Sequence, residues 1–455
     1  MNDDRLLAAL RSHPWVESAE PADSGVLAVR PAAAAVAVRP APGPLLQDHL
    51  DSWAEVYTFV YSAARDRHAA DLDLSGWRAS DTGEPFPREH MLEWIGHAVD
   101  LVLRGDPRTV LELGCGSGLL AHRLAPKVET YVGTDVADHA VERLRGELPG
   151  ARIVVAAAHQ AAAPHVMRAL TPPGAAEPVR PDRIVLNSVT ECFPNAAYLS
   201  AVVEDALALV APGGTVVVGD VRNLATLGAF ARWVESARDP SLRPDNLDRR
   251  AARRAAAEEE LVCDPQLFAR IGARFAARHG RPMRVVAHAK PFRHDTELTR
   301  YRYDVTLTVD PPPAPEADPV TWSALPGSDR VAACAEVLAR SGSAYVTGIP
   351  NTLLDPADPR AVTPGELAAA LPPGVSLLLD SADGRRLAAG RPETVPQPQL
   401  ADADGELAND PFGRFVDRRL PEELTDHLER LLPDLPVPPL VVDGAAATTP
   451  EGPSR

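Results

Sequence analysis

The run VLELGCGSGLL at 110–120 narrows the fold of this chain more than any other feature, because a short apolar strand opens there into three glycines spaced GxGxG. Glycine at a strand-to-helix junction lets a ligand touch the backbone, where any Cβ would block the approach or the positive φ of the turn. Gly114, Gly116 and Gly118 are therefore candidate cofactor-binding residues, with Glu112 at the strand end. The next apolar run, TYVGTD, closes on Asp135, where a carboxylate can accept both ribose hydroxyls of an adenosine cofactor. The spacing is neither GxGxxG nor GxxxxGKS. Its competing reading is an ordinary glycine turn in an NAD-binding or unliganded sheet.

Further apolar runs follow at 152–157, 182–188 and 214–220, separated by helix-length segments at 137–148 and 197–210. Short buried strands alternating with helices predict an α/β fold built on a doubly wound parallel sheet. The Arg-, Ala- and Glu-rich stretch 222–278 reads as helices beside that sheet, and 284–290 with 301–309 as a late antiparallel strand pair. Proline clusters at 39–44, 310–319 and 391–399 divide the chain into four parts, taken here as 1–48, 49–310, 320–400 and 408–455. In the third, helix 330–340, strand 344–350, helix 364–370 and strand 376–381 predict half of another α/β layer. No fixed-period repeat is visible.

Charge and cysteine usage exclude several classes. The 46 basic against 63 acidic residues give a net charge of −17, which disfavours a nucleic-acid partner. Lysine occurs only as Lys127 and Lys290. Cys115, Cys192, Cys263 and Cys334 form no CxxC pair and no Cys/His ligand spacing, arguing against a disulfide framework or a zinc site. The start MNDDRLLAAL lacks a basic-then-apolar leader, and no stretch of about 18 apolar residues occurs, so the expectation is a cytoplasmic protein without a membrane partner.

Together VLELGCGSG, the acid of YVGTD, LNSV at 186–189 and APGG at 211–214 resemble the class I S-adenosylmethionine-dependent methyltransferases, which implies a Rossmann-like sheet with an antiparallel terminal strand. More closely, DSWAEVY (51–57), GWRASDTGEPFPREHMLEW (76–94), NSVTECFP (187–194), GDVRN (219–223) and TELTRYRYDV (296–305) resemble the methyltransferase domains embedded in nonribosomal peptide synthetases. That resemblance implies S-adenosylmethionine as cofactor and N-methylation of an amino acid, or of an aminoacyl thioester on a carrier protein, with a synthetase carrier domain as partner. O- or C-methylation of a free small molecule and a non-catalytic interaction module are the alternatives. The ends, 7–30 and 428–455, resemble the two parts of the small C-terminal lobe of an adenylation domain, implying a small α+β remnant into which the methyltransferase is inserted, with 320–400 as an accessory α/β segment. Where that lobe carries a lysine after Asn-Gly, this chain has Glu451, Gly452 and Pro453, so the remnant is expected to be structural or a docking surface.

The candidate catalytic residues are Glu191, Glu297, Tyr303 and His294. Glu191 stands where related domains commonly have an amide, and a carboxylate there would hold a cationic amine or take its proton. Tyr301 and Tyr303 are expected to share one face of a strand, turned either to the acceptor or to the core. His294 is a lone histidine on the same return. On the cofactor side, Asn187 follows the fourth strand, either as a ligand contact or as a cap for the next turn, and Tyr57 with Trp77 resembles an aromatic lid. His159 follows the third strand, where the resemblance calls for an acid against the adenine amine; His159 or Gln160 would replace it. Methyl transfer of this kind needs no metal, and none is expected.

Overall fold

The computed structural model describes residues 2–22, 25–63, 67–396 and 406–443. The segment with Glu451, Gly452 and Pro453 lies outside them. The central strands Thr109–Leu113, Arg183–Asn187 and Thr215–Arg222 are buried along their whole length. That is the pattern of a parallel sheet covered by helices on both faces. From one edge the strands run Arg152–Val155, Thr130–Asp135, Thr109–Leu113, Arg183–Asn187 and Thr215–Arg222, all parallel. Strand Arg302–Val309 then enters antiparallel between Thr215–Arg222 and Met283–Ala289. Chain order reverses between Thr109–Leu113 and Arg183–Asn187, so a crevice opens there at the carboxyl ends of the strands.

The helices start where local chemistry stops the strand pattern. The Asn195 side chain accepts the Tyr198 N–H at 2.9 Å and caps helix Ala196–Leu209. Asp264 caps Pro265–His279, which ends on left-handed Gly280 at φ 62°. The arginine-rich stretch forms helices Leu227–Arg238, Pro244–Ala256 and Pro265–His279, as expected.

Two features differ from the sequence reading. The segment 320–400 is not the start of a separate layer. Strands Ser376–Leu379, Leu387–Gly390, Ala344–Ile349 and Asp318–Thr321 lengthen the same sheet to 11 strands, joined where His288 of Met283–Ala289 pairs with Leu378. The bare edge of Met283–Ala289 supplies the backbone groups that make this join favourable. Secondly, Tyr301 and Tyr303 do not share a strand face. A helical turn Glu297–Tyr301 precedes the strand, which begins at Arg302.

The distant ends meet. Strands Val16–Pro21 and Leu27–Pro31 form a hairpin, and Leu440–Val442 adds parallel to Leu27–Pro31. Helix Pro411–Leu431 buries Phe412, Val416, Leu420, Leu424 and Leu428, a stripe at helical spacing, in the same core cluster as Leu6, Leu7 and Leu10. Among the described residues, no helix is long and apolar enough to cross a membrane.

Where the strands of the reversed region end, a chain of charges is buried. Lys290 is 1 % exposed, with Nζ 2.6 Å from Asp304 Oδ1 and 3.2 Å from Asp220 Oδ1. Arg302 holds the other oxygen of Asp220 at 2.8 Å, and His97 the other oxygen of Asp304 at 2.9 Å. Burial works against charge on Asp220 and Asp304, yet the cations outweigh it and hold both carboxyls below their usual range. Replacing Lys290 with Met leaves two carboxylates sharing too little charge, and the expected loss is about 3–5 kcal/mol of stability. Denaturant titration measures it; a loss below about 1 kcal/mol would show that the array is not needed for folding.

Candidate active site

The glycine loop forms the floor of two adjoining cavities of about 360 and 110 Å³. Gly114 and Gly116 line the larger one at φ +82° and +50°, and a Cβ on Gly116 would lie 2.7 Å from the Tyr61 hydroxyl. Gly118 does not line either cavity. A Cβ there would strike Leu144, so this glycine serves the packing of the loop on helix Asp138–Glu147.

The smaller cavity takes Asp135, Ala156, Ala157, Phe193 and Tyr198 into its walls. Asp135 Oδ2 accepts the Gly116 N–H at 2.7 Å and Oδ1 the Ala137 N–H at 2.9 Å. Each oxygen keeps a further acceptor position for a ligand hydroxyl. Burial raises its carboxyl above the ordinary value, against the pull of these backbone donors. Trp53, Tyr57 and Tyr61, one turn apart along helix Pro44–Ala63, pack ring to ring with centroids 6.2 and 5.6 Å apart and cover the cavities. His159 is not in the wall. Its Nδ1 meets the Tyr198 hydroxyl at 2.8 Å, while Gln160 accepts the Ala157 N–H and closes the local turn. Neither histidine nor amide reaches the space where an adenine acid was expected, because the short 3-10 turn Ala158–Gln160 points both away from it.

Acids and arginines alternate around the larger cavity. Glu112 lines it, accepts the Tyr131 hydroxyl, and is pushed up to about 7 by burial. Asn187 lines it as well, with its side-chain oxygen against the Cα of Gly219, where no Cβ would fit. Glu297 accepts the backbone N–H and hydroxyl of Ser80 at 2.8 and 3.0 Å. Glu191 is 6 % exposed; Arg302 approaches its Oε1 at 3.4 Å, and its Oε2 has no hydrogen-bond partner. Burial, only partly opposed by Arg302, pushes its carboxyl up to about 7. Ser188 and Asp220, at the ends of adjacent strands, hold positive φ of 51° and 62° and are hydrogen-bonded at 2.7 Å. Non-glycine residues kept in that region mark positions that the surroundings over-determine, as functional sites often are.

Two proposed catalytic residues lie elsewhere. Tyr303 is fully buried in the core, donates to the Cys263 carbonyl at 3.0 Å and lies edge-on to Phe268. The strand that begins at Arg302 turns Arg302 to the cavity and Tyr303 to the opposite side, while Tyr301 lines the cavity from the preceding helical turn. His294 is outside the cavity, its Nδ1 2.7 Å from Glu93. Sequence reasoning missed Trp94, Arg222, Arg302, Glu258 and Glu260. Arg302 stands in the RYRYDV segment already singled out, and a buried charge among aromatics was its signal; Glu258 and Glu260 sit in a polar run that carries none.

Residues 111–216 match the family model of a methyltransferase domain. Chondramide synthase of Chondromyces crocatus is 33% identical over 338 residues, 70% of this chain and 8% of that protein. CymA of Salinispora arenicola, described as a nonribosomal peptide synthetase, is 40% identical over 261 residues, 57% of this chain and 3% of that protein. This chain carries a class I methyltransferase domain. It resembles those embedded in nonribosomal peptide synthetases, and it spans less than a tenth of the length of these two relatives. The N-methyltransferase NodS of Bradyrhizobium japonicum, solved with S-adenosylhomocysteine, aligns with 56% of this chain and all of its own at 14% identity and a TM-score of 0.34.

The cofactor of the methyltransferase is S-adenosylmethionine, and the residues present fit it. The cradle at Gly116 has no room for a side chain, and the buried Asp135 offers acceptors at the end of its strand. Asp135→Ala removes a charged acceptor worth about 1.5–3 kcal/mol, so cofactor affinity is expected to fall roughly 10- to 150-fold. Calorimetric titration with S-adenosylmethionine measures this, and affinity near that of the wild type would move the ribose site away from Asp135.

Proposed function

We propose that this methyltransferase N-methylates an aminoacyl group held as a thioester on a carrier protein, as a step in natural-product assembly. The observation that carries the reading is Glu191: a buried carboxylate in the larger cavity whose Oε2 has no partner of its own. Bound S-adenosylmethionine supplies an electrophilic methyl on a sulfonium, which an amine can displace in line only in its neutral form, with the nitrogen lone pair free. A substrate ammonium must first lose a proton, and Glu191 Oε2 is placed to hold that ammonium and accept it. Glu297, fixed by Ser80, adds a second acceptor in the same wall.

Three of the five arginines that line this cavity are committed to carboxylates of the chain, which favours a thioester over a free amino acid. Arg222 is held by Glu258 and Glu260, Arg302 by Asp220 and Glu191, and Arg254 by Glu235, while Arg78 and Arg238 donate to the carbonyls of Gly83 and Ser80. The three guanidiniums matched by carboxylates have their charge already answered, which leaves them poorly suited to a substrate carboxylate, a group that a thioester lacks. We read the hairpin joined by Leu440–Val442 as the remnant of an adenylation lobe, a surface suited to carrier docking. The synthetase relatives are consistent with such a partner.

Incubation with aminoacyl carrier proteins and with the same free amino acids, followed by mass measurement, tests the assignment. Methyl gain only on the carrier-bound amine is expected; gain only on the free amino acid, or on oxygen or carbon, would overturn it. Glu191→Gln is expected to lower kcat by about 10²-fold or more. Because the working form of Glu191 is the carboxylate, the wild-type rate should rise with pH through about 7. That limb should vanish in Glu191→Gln, and its persistence unchanged would assign the base to another group.

A further inference from the structure

Outside both cavities, the start of helix Arg88–Leu103 meets the loop that carries His294. Glu89, His90 and His294 each offer one ligand atom there, and all three atoms lie within 4.8 Å of one another. The methyltransferase reading gives none of the three a task. Glu93, one turn along the helix, takes His294 Nδ1 at 2.7 Å and the Arg293 N–H at 3.0 Å. A carboxylate accepts, so Nδ1 carries the proton and Nε2 keeps the lone pair, the arrangement by which an outer carboxylate orients a ligating imidazole. The His90 ring lies on that of His294, with centroids 4.1 Å apart and planes 33° apart, and its Nδ1 is buried without a hydrogen-bond partner.

We propose that Glu89, His90 and His294, oriented by Glu93, bind a divalent first-row transition ion. Two imidazoles and a carboxylate suit zinc better than calcium or magnesium, which prefer oxygen. Bonds of about 2.0–2.1 Å in tetrahedral geometry place donors about 3.3 Å apart, so the three atoms would draw together from their present spacing as the ion binds. The N-terminal end of a helix repels a cation, and the carboxylates Glu89 and Glu93 offset this. The donors come from 89–90 and 294, so no ligand spacing betrays them in the sequence. The ion would tie helix Arg88–Leu103, which brings Trp94 to the larger cavity, to the loop leading to Glu297, which lines the same cavity. Its role is to join these two elements, apart from the chemistry.

The test strips the full chain with a chelator and titrates Zn²⁺ against a chromophoric indicator, with thermal melting alongside. Expected are one equivalent bound at micromolar zinc or tighter and a melting temperature raised by the ion. His90→Ala and His294→Ala should each weaken binding at least tenfold, and Glu93→Gln about 10- to 100-fold. Glu89→Gln, at an exposed position, should also weaken binding; unchanged affinity for S-adenosylmethionine shows that each variant is folded. No bound zinc in the wild type, or equal binding by the His90→Ala/His294→Ala double variant, overturns the proposal; the latter would place the ion on other surface histidines. Neither result bears on methyl transfer.

Discussion

A buried alternation of charge, Asp304, Lys290, Asp220, Arg302 and Glu191, with His97 hydrogen-bonded to its Asp304 end, holds the active-site wall in place. Its members come from one helix, three strand ends and the turn after the fourth strand, so each link fixes one element relative to another. Ions in such a place are costly to desolvate and repay that cost only when each is matched. Here Asp220 is matched on every side: Trp94 Nε1 at 2.9 Å, Ser188 Oγ at 2.7 Å, Lys290 and Arg302. Ser188 and Asp220, both at positive φ, are tied into this network by the hydrogen bond between their side chains and by the Asp220 N–H donated to Asp304. Specificity of arrangement, more than gross stability, is what the array supplies.

The arrangement separates two tasks across the glycine loop. On one side Asp135 and the aromatic ladder of helix Pro44–Ala63 form a narrow, largely apolar recess. On the other, acids and arginines surround a roomier space in which Glu191, alone among the described carboxylates that line it, retains a buried oxygen without a hydrogen-bond partner. A carboxylate kept near neutrality by burial can both release and take a proton at working pH, which one facing water could not do.

The parallel core was legible because strands buried on both faces are mostly apolar, and the runs at 110–113, 184–186 and 216–218 show it, with the polar residues gathered toward the strand ends. The glycine loop and Asp135 were legible for a similar reason, since a steric requirement at the backbone leaves few residue choices. Long-range partners left no comparable mark. Tyr303 follows the same alternation as its neighbours, and only the helical turn at 297–301 decides that Arg302 faces the cavity. Lys290 was noticed as a rare residue but had no local partner in the chain; Asp220 and Asp304 lie on other strands. Strands Asp318–Thr321 and Leu387–Gly390 are short, with a proline in one and small residues in the other, so neither periodicity nor propensity reveals them.

The extension of the sheet beyond Met283–Ala289 has a practical consequence for anyone excising the catalytic unit. A cut at 310, the proline-rich boundary that the sequence offers, would strip Ser376–Leu379 from its neighbour and leave a naked strand bearing Val285 and Val286. Exposed edges of that kind recruit other chains and aggregate. The smallest well-behaved fragment therefore has to run past Gly390, and the apparent appendage acts as a built-in guard against self-association.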